Sequence, residues 1–246
     1  PGDGTESIIS RRNEKMSLIK AKEIGIDPTY IYADINEGWK ISVFIPEFRE
    51  PDYNSFEDSK KILDVLRKLH SSGIKLDYGM QPWEDALKME ELLRERSSNC
   101  FDEYEILKRK IGRLYKMTIN DGVEKCFCHG DTYKPNWMIQ PDGRVILIDW
   151  EYSGYSDPGI DVGYYIVDAM YDFDEAERFI KEYLQDRYTE KSFFHFMAYT
   201  AIIAYYWFVW ALYRESCGAV MGEALTNWHE MAGKYVDYAL NIEEND

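Results

Sequence analysis

The chain has 246 residues, of which 45% are hydrophobic and 30% are charged, and this composition is typical of a folded globular protein. Its 45 acidic side chains exceed its 29 basic ones and give a formal net charge of −16 at pH 7. So acidic a protein repels nucleic-acid phosphates and anionic lipid but attracts small cations, and we therefore expect no nucleic-acid partner and no membrane partner.

The first half of the chain is predicted to form helices around one β-hairpin. Apolar residues that recur every three or four positions predict four helices, at 7–24, 55–73, 83–97 and 101–119. Between the first two helices, a turn around Gly38 predicts a hairpin with strands at 30–33 and 39–45.

The second half begins with short strands and ends in helices. Strands are predicted at 123–128, 137–140 and 145–148. Helices are predicted near 158–171, 174–187, 190–214 and 219–241. This order of elements predicts an α+β fold whose second part is mostly helical.

One helical stretch, from Phe196 to Tyr213, is apolar enough to be considered as a membrane span. It contains four tyrosines, whose hydroxyls need hydrogen-bond partners that lipid does not offer at mid-depth. No other segment of the sequence could join it in a membrane. We therefore predict a buried helix in a protein core.

The four cysteines are too few for a disulfide framework in a chain of this length, which indicates a reducing compartment and a cytoplasmic protein. The first residues have neither the basic start nor the apolar stretch of a signal peptide. Cys126 and Cys128, followed by His129, look like part of a metal site, but a single C-x-C lacks the second ligand pair of a closed zinc site. We therefore interpret the two thiols as small buried side chains on a strand.

The segment from His129 to Asn136 is the most informative part of the sequence. Asp131 follows a predicted strand, Asn136 comes five residues later, and Asp149 follows the next hairpin. In phosphoryl transfer, one carboxylate accepts the proton of an acceptor hydroxyl, while an amide and a second carboxylate hold Mg²⁺ against nucleotide phosphates. Oxygen ligands of this kind suit Mg²⁺, and the hairpin can bring Asn136 and Asp149 together.

The same residues could instead serve only as turn formers, because Asp and Asn are common in loops. Against this, the spacing matches the H-x-D-x-x-x-x-N loop of protein kinases, and Asp149-Trp-Glu151 stands where those enzymes have D-F-G. We therefore favour a catalytic site that uses ATP and Mg²⁺.

Three runs of sequence resemble the choline/ethanolamine kinase family, within the aminoglycoside-phosphotransferase-like kinases, and its bacterial choline kinases in particular. These runs are His129–Asn136, Leu147–Gly154 and Asp157–Gly163. The resemblance implies a protein-kinase-like fold. It further implies a partial N-lobe over 1–47, formed by a helix and a β-hairpin, and a mostly helical C-lobe over 48–246 with short catalytic β-hairpins.

By this resemblance Asp131 is the catalytic base, and Asn136 and Asp149 bind Mg²⁺. His129 is then a structural hydrogen-bonding residue, since Asp131 already has the role of base. Asp161 matches a buried residue that accepts backbone N–H bonds from the catalytic loop, although an acidic residue in the first turn of a helix explains it equally well.

The resemblance also names the residues that would bind the nucleotide. Glu14 matches a helix glutamate that pairs with a basic residue of the family's third strand, and 43–47 matches the hinge that contacts adenine. The candidate residues are Glu14, Val43, Phe44, Ile45 and Glu47. The family's phosphate loop and third-strand basic residue have no counterpart here, so we expect either a truncated chain or a protein that lacks half its N-lobe, with weak ATP affinity and little turnover.

The family's acceptor pocket binds an ammonium group through aromatic faces and acids. Trp207 and Trp210 match the family's W-x-x-W on one helix, and Trp228 offers a third wall. Taken without the resemblance, such an aromatic stripe more often belongs to a core. Glu151 stands next to the metal and acceptor site, and Asp168 falls where family members carry a glutamate near the cationic group.

We predict a kinase that transfers a phosphoryl group from MgATP to the hydroxyl of choline, which gives phosphocholine and ADP. Two alternatives stay open. One is the same transfer to ethanolamine, an aminoglycoside or another small cationic alcohol, and the other is a non-catalytic nucleotide-binding module.

Overall fold

The computed structural model describes residues 9–96, 102–119 and 121–245. The helices in this part of the chain are α1 (Arg11–Glu23), α2 (Phe56–His70), α3 (Pro82–Arg96), α4 (Asp102–Thr118), α5 (Gly159–Asp168), α6 (Phe173–Leu184), α7 (Glu190–Ser216) and α8 (Glu223–Asn245). The strands are β1 (Tyr30–Asp34), β2 (Trp39–Ser42), β3 (Cys126–Cys128), β4 (Trp137–Ile139), β5 (Val145–Leu147) and β6 (Gly154–Ser156). This mixture of helices and short sheets confirms the predicted α+β class.

The chain forms two compact units. The first comprises 1–80 and 125–161, and the second comprises 81–124 and 162–246. The lobe boundary predicted after residue 47 falls inside the first unit and stays a prediction.

The first unit contains three two-stranded antiparallel sheets, in which β1 pairs with β2, β3 with β6, and β4 with β5. In one of them, Cys126 lies opposite Ser156 and Cys128 lies opposite Gly154. Strand β6 was not predicted from the sequence, because this strand has only three residues and its partner β3 lies far earlier in the chain. Such a strand has no local hairpin signal, and only tertiary pairing defines it.

Helix α2 packs against β3 and β5 through the apolar face that the sequence predicts. That face is buried completely and consists of Ile62, Leu63, Leu66 and Leu69. Burying each of these side chains contributes about 1.5–3 kcal/mol to folding. Ser55 caps the start of the helix, with its Oγ accepting a hydrogen bond from the Asp58 amide at 3.3 Å. It ends at His70.

Helix α7 is the centre of the second unit, where it packs against α3, α4, α6 and α8. It is long and apolar enough to cross a membrane by length and composition, but 89% of its apolar window is buried within the structure. The hydroxyl of Tyr205 donates to Glu90 Oε1 at 2.6 Å, so this tyrosine has its partner in the protein core. The prediction of a buried helix is confirmed.

The other predicted elements are confirmed in type, but several ends shift by a few residues. Strand β2 ends at Ser42, because its pairing with β1 stops where Ser42 lies opposite Tyr30. Strand β3 begins at Cys126 for the same reason, since its pairing with β6 begins at that residue. Parts of the predicted helices at 7–8, 97 and 101 lie outside the described residues.

Candidate active site

The loop that follows β3 is held in place by one buried carboxylate. Asp161 Oδ2 accepts the backbone N–H of His129 at 2.8 Å, and Asp161 Oδ1 accepts that of Gly130 at 2.7 Å. Gly130 has a φ of +85°, and a Cβ atom there would lie 2.5 Å from the carbonyl oxygen of Tyr152. The structure thus confirms the predicted role of Asp161 as a brace, although Asp161 also lies in the first turn of α5.

His129 is a structural residue of this loop, as predicted. Its side chain is fully buried, its Nε2 lies 2.9 Å from the carbonyl oxygen of Ile148, and its Nδ1 accepts the backbone N–H of Asp131 at 3.2 Å. Burial lowers the pKa of His129, which favours the neutral ring. Because Nδ1 is the acceptor in this network, we assign the ring proton to Nε2, which donates to Ile148.

The structure brings two of the three predicted catalytic residues into direct contact. Asn136 Nδ2 donates to Asp131 Oδ2 at 3.0 Å and to the carbonyl oxygen of Asp131 at 2.9 Å. Trp137, at the start of β4, anchors the same turn by donating from Nε1 to the carbonyl oxygen of Thr132 at 3.0 Å. These bonds define the orientation of the Asp131 carboxylate.

The third residue, Asp149, follows β5 at the end of the β4–β5 hairpin. The amide of Ile148 donates to the carbonyl oxygen of Asn136 at 3.0 Å. This hydrogen bond ties the residue before Asp149 to the turn that contains Asn136. Asp149 has a φ of 69°, in the left-handed region that non-glycine residues seldom adopt. Such conformations are concentrated at functional sites.

Sequence reasoning missed Lys40, which lies on β2. Its Nζ is 3.0 Å from Glu14 Oε1 and 3.0 Å from Asp149 Oδ1. Burial alone would lower the pKa of Lys40, but the carboxylates of Asp149 and Glu14 outweigh it and raise the pKa, so the amine stays charged.

This contact gives Glu14 a basic partner that the sequence did not indicate. The resemblance implied a partner on a strand without counterpart in the sequence, whereas in the structure Glu14 pairs with Lys40 and, at 3.5 Å, with Arg11. No local pattern could identify Lys40, because its partner Asp149 lies far away in the sequence and only the fold brings them together.

A cavity of about 370 Å³ lies in the first unit beside this ion pair. Its lining residues include Glu14, Lys40, Asp149 and Glu151. Asp131 and Asn136 do not line this cavity. The pKa of Glu151 is raised, first by its burial and then by the nearby charges of Asp149 and Glu14. With Asp34 and Arg11, which also line it, the cavity combines four carboxylates with two basic side chains.

The predicted hinge runs from the end of β2 through exposed chain. The amide of Val43 donates to the carbonyl oxygen of Thr29 at 2.7 Å, and the Phe44 side chain is 82% exposed. Hinge residues 43–47 do not line the cavity described above. The adenine-binding role of Val43, Phe44, Ile45 and Glu47 therefore stays a prediction.

The three predicted acceptor-site tryptophans lie together in the second unit. The ring centroids of Trp207 and Trp210 are 5.2 Å apart, and those of Trp207 and Trp228 are 5.9 Å apart. Trp207 and Trp228 are buried, Trp210 is partly exposed, and Tyr164 stacks on Trp207 at 4.8 Å. Asp168 is partly exposed at the last residue of α5. The aromatic cluster that the sequence predicts is therefore present, with its rings packed against one another.

A protein-family model described as "Phosphotransferase enzyme family" matches residues 50–194, which is more than half of the chain. The chain belongs to the phosphotransferase enzyme family. The family membership and the kinase-type loop around Asp131 therefore agree.

Individual relatives give the same picture. A probable ethanolamine kinase of Arabidopsis thaliana is 27% identical over an alignment of 254 positions, which covers 91% of this chain and 67% of the relative. The crystal structure of choline kinase LicA from Streptococcus pneumoniae matches with a TM-score of 0.85 and 28% identity, over 97% of this chain and 84% of that chain. A structure of LicA in complex with AMP matches with a TM-score of 0.83 and 29% identity, over 97% and 82% of the two chains.

These similarities confirm the protein-kinase-like fold and the resemblance described above. The phosphotransferase is choline/ethanolamine kinase-like, which is the class of enzyme predicted from the sequence.

Proposed function

We propose that this phosphotransferase transfers the γ-phosphoryl group of ATP to the hydroxyl of choline in the cytoplasm. The observation that carries the proposal is the arrangement of Asp131, whose carboxylate accepts a hydrogen bond from Asn136 in a loop braced by Asp161. Support for the nucleotide comes from the similarity to LicA, a structure of which contains AMP. Support for the acceptor comes from the Streptococcus pneumoniae LicA, which is described as a choline kinase.

In this proposal Asp131 accepts the proton as the alcohol oxygen attacks phosphorus. The Asn136 amide group, 3.0 Å from Asp131 Oδ2, stabilises the carboxylate anion and orients it. His129 does not compete for the proton, because burial lowers its pKa and its ring atoms are engaged by the backbone.

The oxygen donors of Asn136 and Asp149 fit Mg²⁺. Asn136 directs Nδ2 at two Asp131 oxygens, which leaves its amide oxygen as the metal donor, and Asp149 adds a carboxylate. When bound, Mg²⁺ neutralises charge on the nucleotide phosphates. Lys40, next to Asp149, contributes a further positive charge for the same phosphates.

For the acceptor, we propose that aromatic rings and carboxylates bind the cationic end. In the second unit the candidates are the tryptophan cluster and Asp168, and in the first unit the candidate is Glu151. A trimethylammonium group cannot donate hydrogen bonds, so aromatic faces and carboxylates are its natural partners. Trp210 is the partly exposed member of the cluster, and Trp207 and Trp228 each contact its ring edge to face. The Arg214 guanidinium already lies over the Trp210 ring, 5.6 Å from its centroid, so this ring can pair with a cation.

Ethanolamine is the second candidate, and the close packing of the tryptophans favours it. The three ring centroids lie 5.2, 5.9 and 6.3 Å apart, so these rings contact each other and leave no gap between them for a quaternary ammonium. A primary ammonium is smaller and donates hydrogen bonds that Glu151 or Asp168 can accept. The Arabidopsis thaliana relative, a probable ethanolamine kinase, adds support.

Release of ADP in the presence of Mg²⁺, measured with choline, ethanolamine and an aminoglycoside, tests the proposal. We expect the highest kcat/KM with choline. A higher value with ethanolamine selects the second candidate. Turnover no greater than that of Asp131→Asn with every acceptor would contradict phosphoryl transfer by this chain.

A further inference from the structure

Besides the catalytic loop, the first unit contains a cluster of sulfur and nitrogen donors. His70, Cys126 and Cys128 each offer one metal-binding atom, and these atoms all lie within 4.8 Å of one another. The two sulfur atoms are 3.5 Å apart. Two thiolates bound to a tetrahedral Zn²⁺, each about 2.3 Å from the metal, are about 3.7 Å apart, so the observed spacing is close to that of a metal site.

The fold assembles this cluster from two elements. Cys126 and Cys128 are two residues apart on β3, so their side chains project from the same face of the strand. His70 is the last residue of α2, which packs against β3. The C-x-C pattern alone lacks the further ligands of a zinc site, and α2 supplies a third ligand that no local spacing could indicate.

A carboxylate supports the histidine in the way that metal-binding imidazoles are commonly supported. His70 Nε2 lies 2.9 Å from Asp161 Oδ2, and the His70 side chain is only 6% exposed. A histidine that binds a metal usually donates its other ring N–H to a carboxylate or carbonyl, which fixes the ring and increases its basicity. Asp161 is itself held by the backbone of His129 and Gly130, so the support is rigid.

The chemistry of the donors selects the kind of ion. Two sulfurs and an imidazole favour thiophilic ions such as Zn²⁺ and disfavour Mg²⁺, which prefers oxygen ligands. The carboxylates of Asp157 and Asp161 lie close enough to act electrostatically on the thiols, and a divalent cation would compensate this negative charge. Cys126 is partly exposed, which gives an ion access to the buried Cys128.

We propose that His70, Cys126 and Cys128 bind a Zn²⁺ ion, with Asp161 orienting the imidazole. The simpler interpretation is a pair of thiols that serve only as buried side chains. It has support of its own, because the Cys128 sulfur lies 3.4 Å from the carbonyl oxygens of both Ser156 and Asp157. Metal binding separates the two interpretations and does not depend on the proposed kinase activity.

The full chain, reduced and treated with a chelator, is titrated with Co²⁺ as a spectroscopic substitute for Zn²⁺. We expect one equivalent to bind, with an intense thiolate-to-cobalt absorption that Zn²⁺ abolishes and that excess Mg²⁺ leaves unchanged. Absence of the thiolate absorption in the wild-type protein overturns the proposal.

Two variants make the test specific to this cluster. Cys126→Ser removes the partly exposed ligand, and we expect it to weaken Co²⁺ and Zn²⁺ binding by about tenfold or more. Cys217→Ser removes a partly exposed thiol of the second unit and should bind both ions like the wild type. Unchanged affinity in Cys126→Ser contradicts the proposal. Should that variant fail to fold, cadmium NMR of the wild-type protein decides, because the shift distinguishes two sulfur ligands from oxygen ligands alone.

Discussion

Lys40 Nζ lies 3.0 Å from Asp149 Oδ1, and the same amine lies 3.0 Å from Glu14 Oε1. Lys40 therefore connects helix α1 with the residue that we propose to bind Mg²⁺. The amine stays charged, since the two carboxylates raise its pKa against the effect of burial. This ion pair positions Asp149 before nucleotide binds.

Replacing Lys40 by methionine should lower kcat/KM for ATP by about 10- to 100-fold, because hydrogen bonds to charged groups are each worth about 1.5–3 kcal/mol. Steady-state kinetics with ATP as the varied substrate measure the effect. Lys15→Met is the matched control, since Lys15 Nζ donates at 2.9 Å to the carbonyl oxygen of Ala33. Equal kinetics for both variants would show that Lys40 has no role at the phosphates.

Asp131→Asn should reduce kcat by about 10²- to 10⁴-fold, because it removes the proposed base but keeps the shape of the side chain. The KM for ATP should change little, since Asp131 does not line the cavity next to Lys40. Asp142→Asn is the control, because Asp142 is an exposed turn residue that accepts from Arg144. A kcat close to the wild-type value in Asp131→Asn would exclude Asp131 as the base.

Asp161→Asn should lower the free energy of unfolding at pH 7 by about 3–5 kcal/mol, because it removes a buried carboxylate that pairs with His70 and accepts the backbone N–H groups of His129 and Gly130. Burial alone would raise the pKa of Asp161, but the hydrogen bond and charge of His70 outweigh it and lower the pKa. A lowered pKa stabilises the fold at pH values above the ordinary carboxyl pKa of 3.8, and this contribution is lost as the pH falls through the lowered value. The difference between variant and wild type should therefore shrink in acid.

Denaturant unfolding at pH 7 and at stepwise lower pH measures this difference. Asp64→Asn serves as the control, because its carboxylate is 73% exposed and pairs with Arg67 at the surface. Surface pairs of this kind contribute about 0–1 kcal/mol. A pH-independent loss of stability in Asp161→Asn would argue that packing, and not charge, accounts for the effect.

Trp210→Ala should raise the KM for choline by about 2- to 30-fold, in line with cation–π energies of about 0.5–2 kcal/mol. The KM for ethanolamine should rise less, because a primary ammonium also has hydrogen bonds to carboxylates. Trp210→Phe keeps an aromatic face and should recover part of the affinity. If neither substitution changes the choline KM, the cation binds elsewhere.

Glu151 should give acceptor binding a distinctive pH dependence. Its pKa is raised by burial, by Asp149 and by Glu14, so it releases its proton at a higher pH than the ordinary value of 4.5. A cation favours the ionised form, and kcat/KM for the acceptor should therefore fall about tenfold per pH unit as the pH drops through the Glu151 pKa. Glu151→Gln should lower kcat/KM at neutral pH and abolish that acidic decline, and a decline that persists would assign it to another group.

Sequence patterns predicted local elements well, but they did not predict contacts between distant segments. The apolar face of α2 and its Ser55 cap depend only on residues within one helix, so their spacing is visible in the chain. Strand β6 and the contact between α2 and β3 depend on residues far apart in sequence, and no local pattern records them.

The candidate site likewise has residues that the sequence indicated and contacts that only the structure revealed. The spacing of Asp131, Asn136 and Asp149 indicated phosphoryl transfer before any coordinates, because the chemistry requires those residue types around one hairpin. The partner of Glu14 could not be predicted, because Lys40 reaches Glu14 and Asp149 across two elements. The tryptophans were expected to enclose a cation, whereas the structure packs their rings together.

The amino-acid sequence alone determined the class of chemistry and the helices and turns that carry it, since both follow from neighbouring residues. Only the tertiary structure decided which charges meet. It joined Lys40 to Asp149, His70 to Asp161 and His70 to the two thiols of β3. The physical reason is that electrostatic and metal-ligand interactions depend on distance in space, and folding sets that distance independently of separation along the chain.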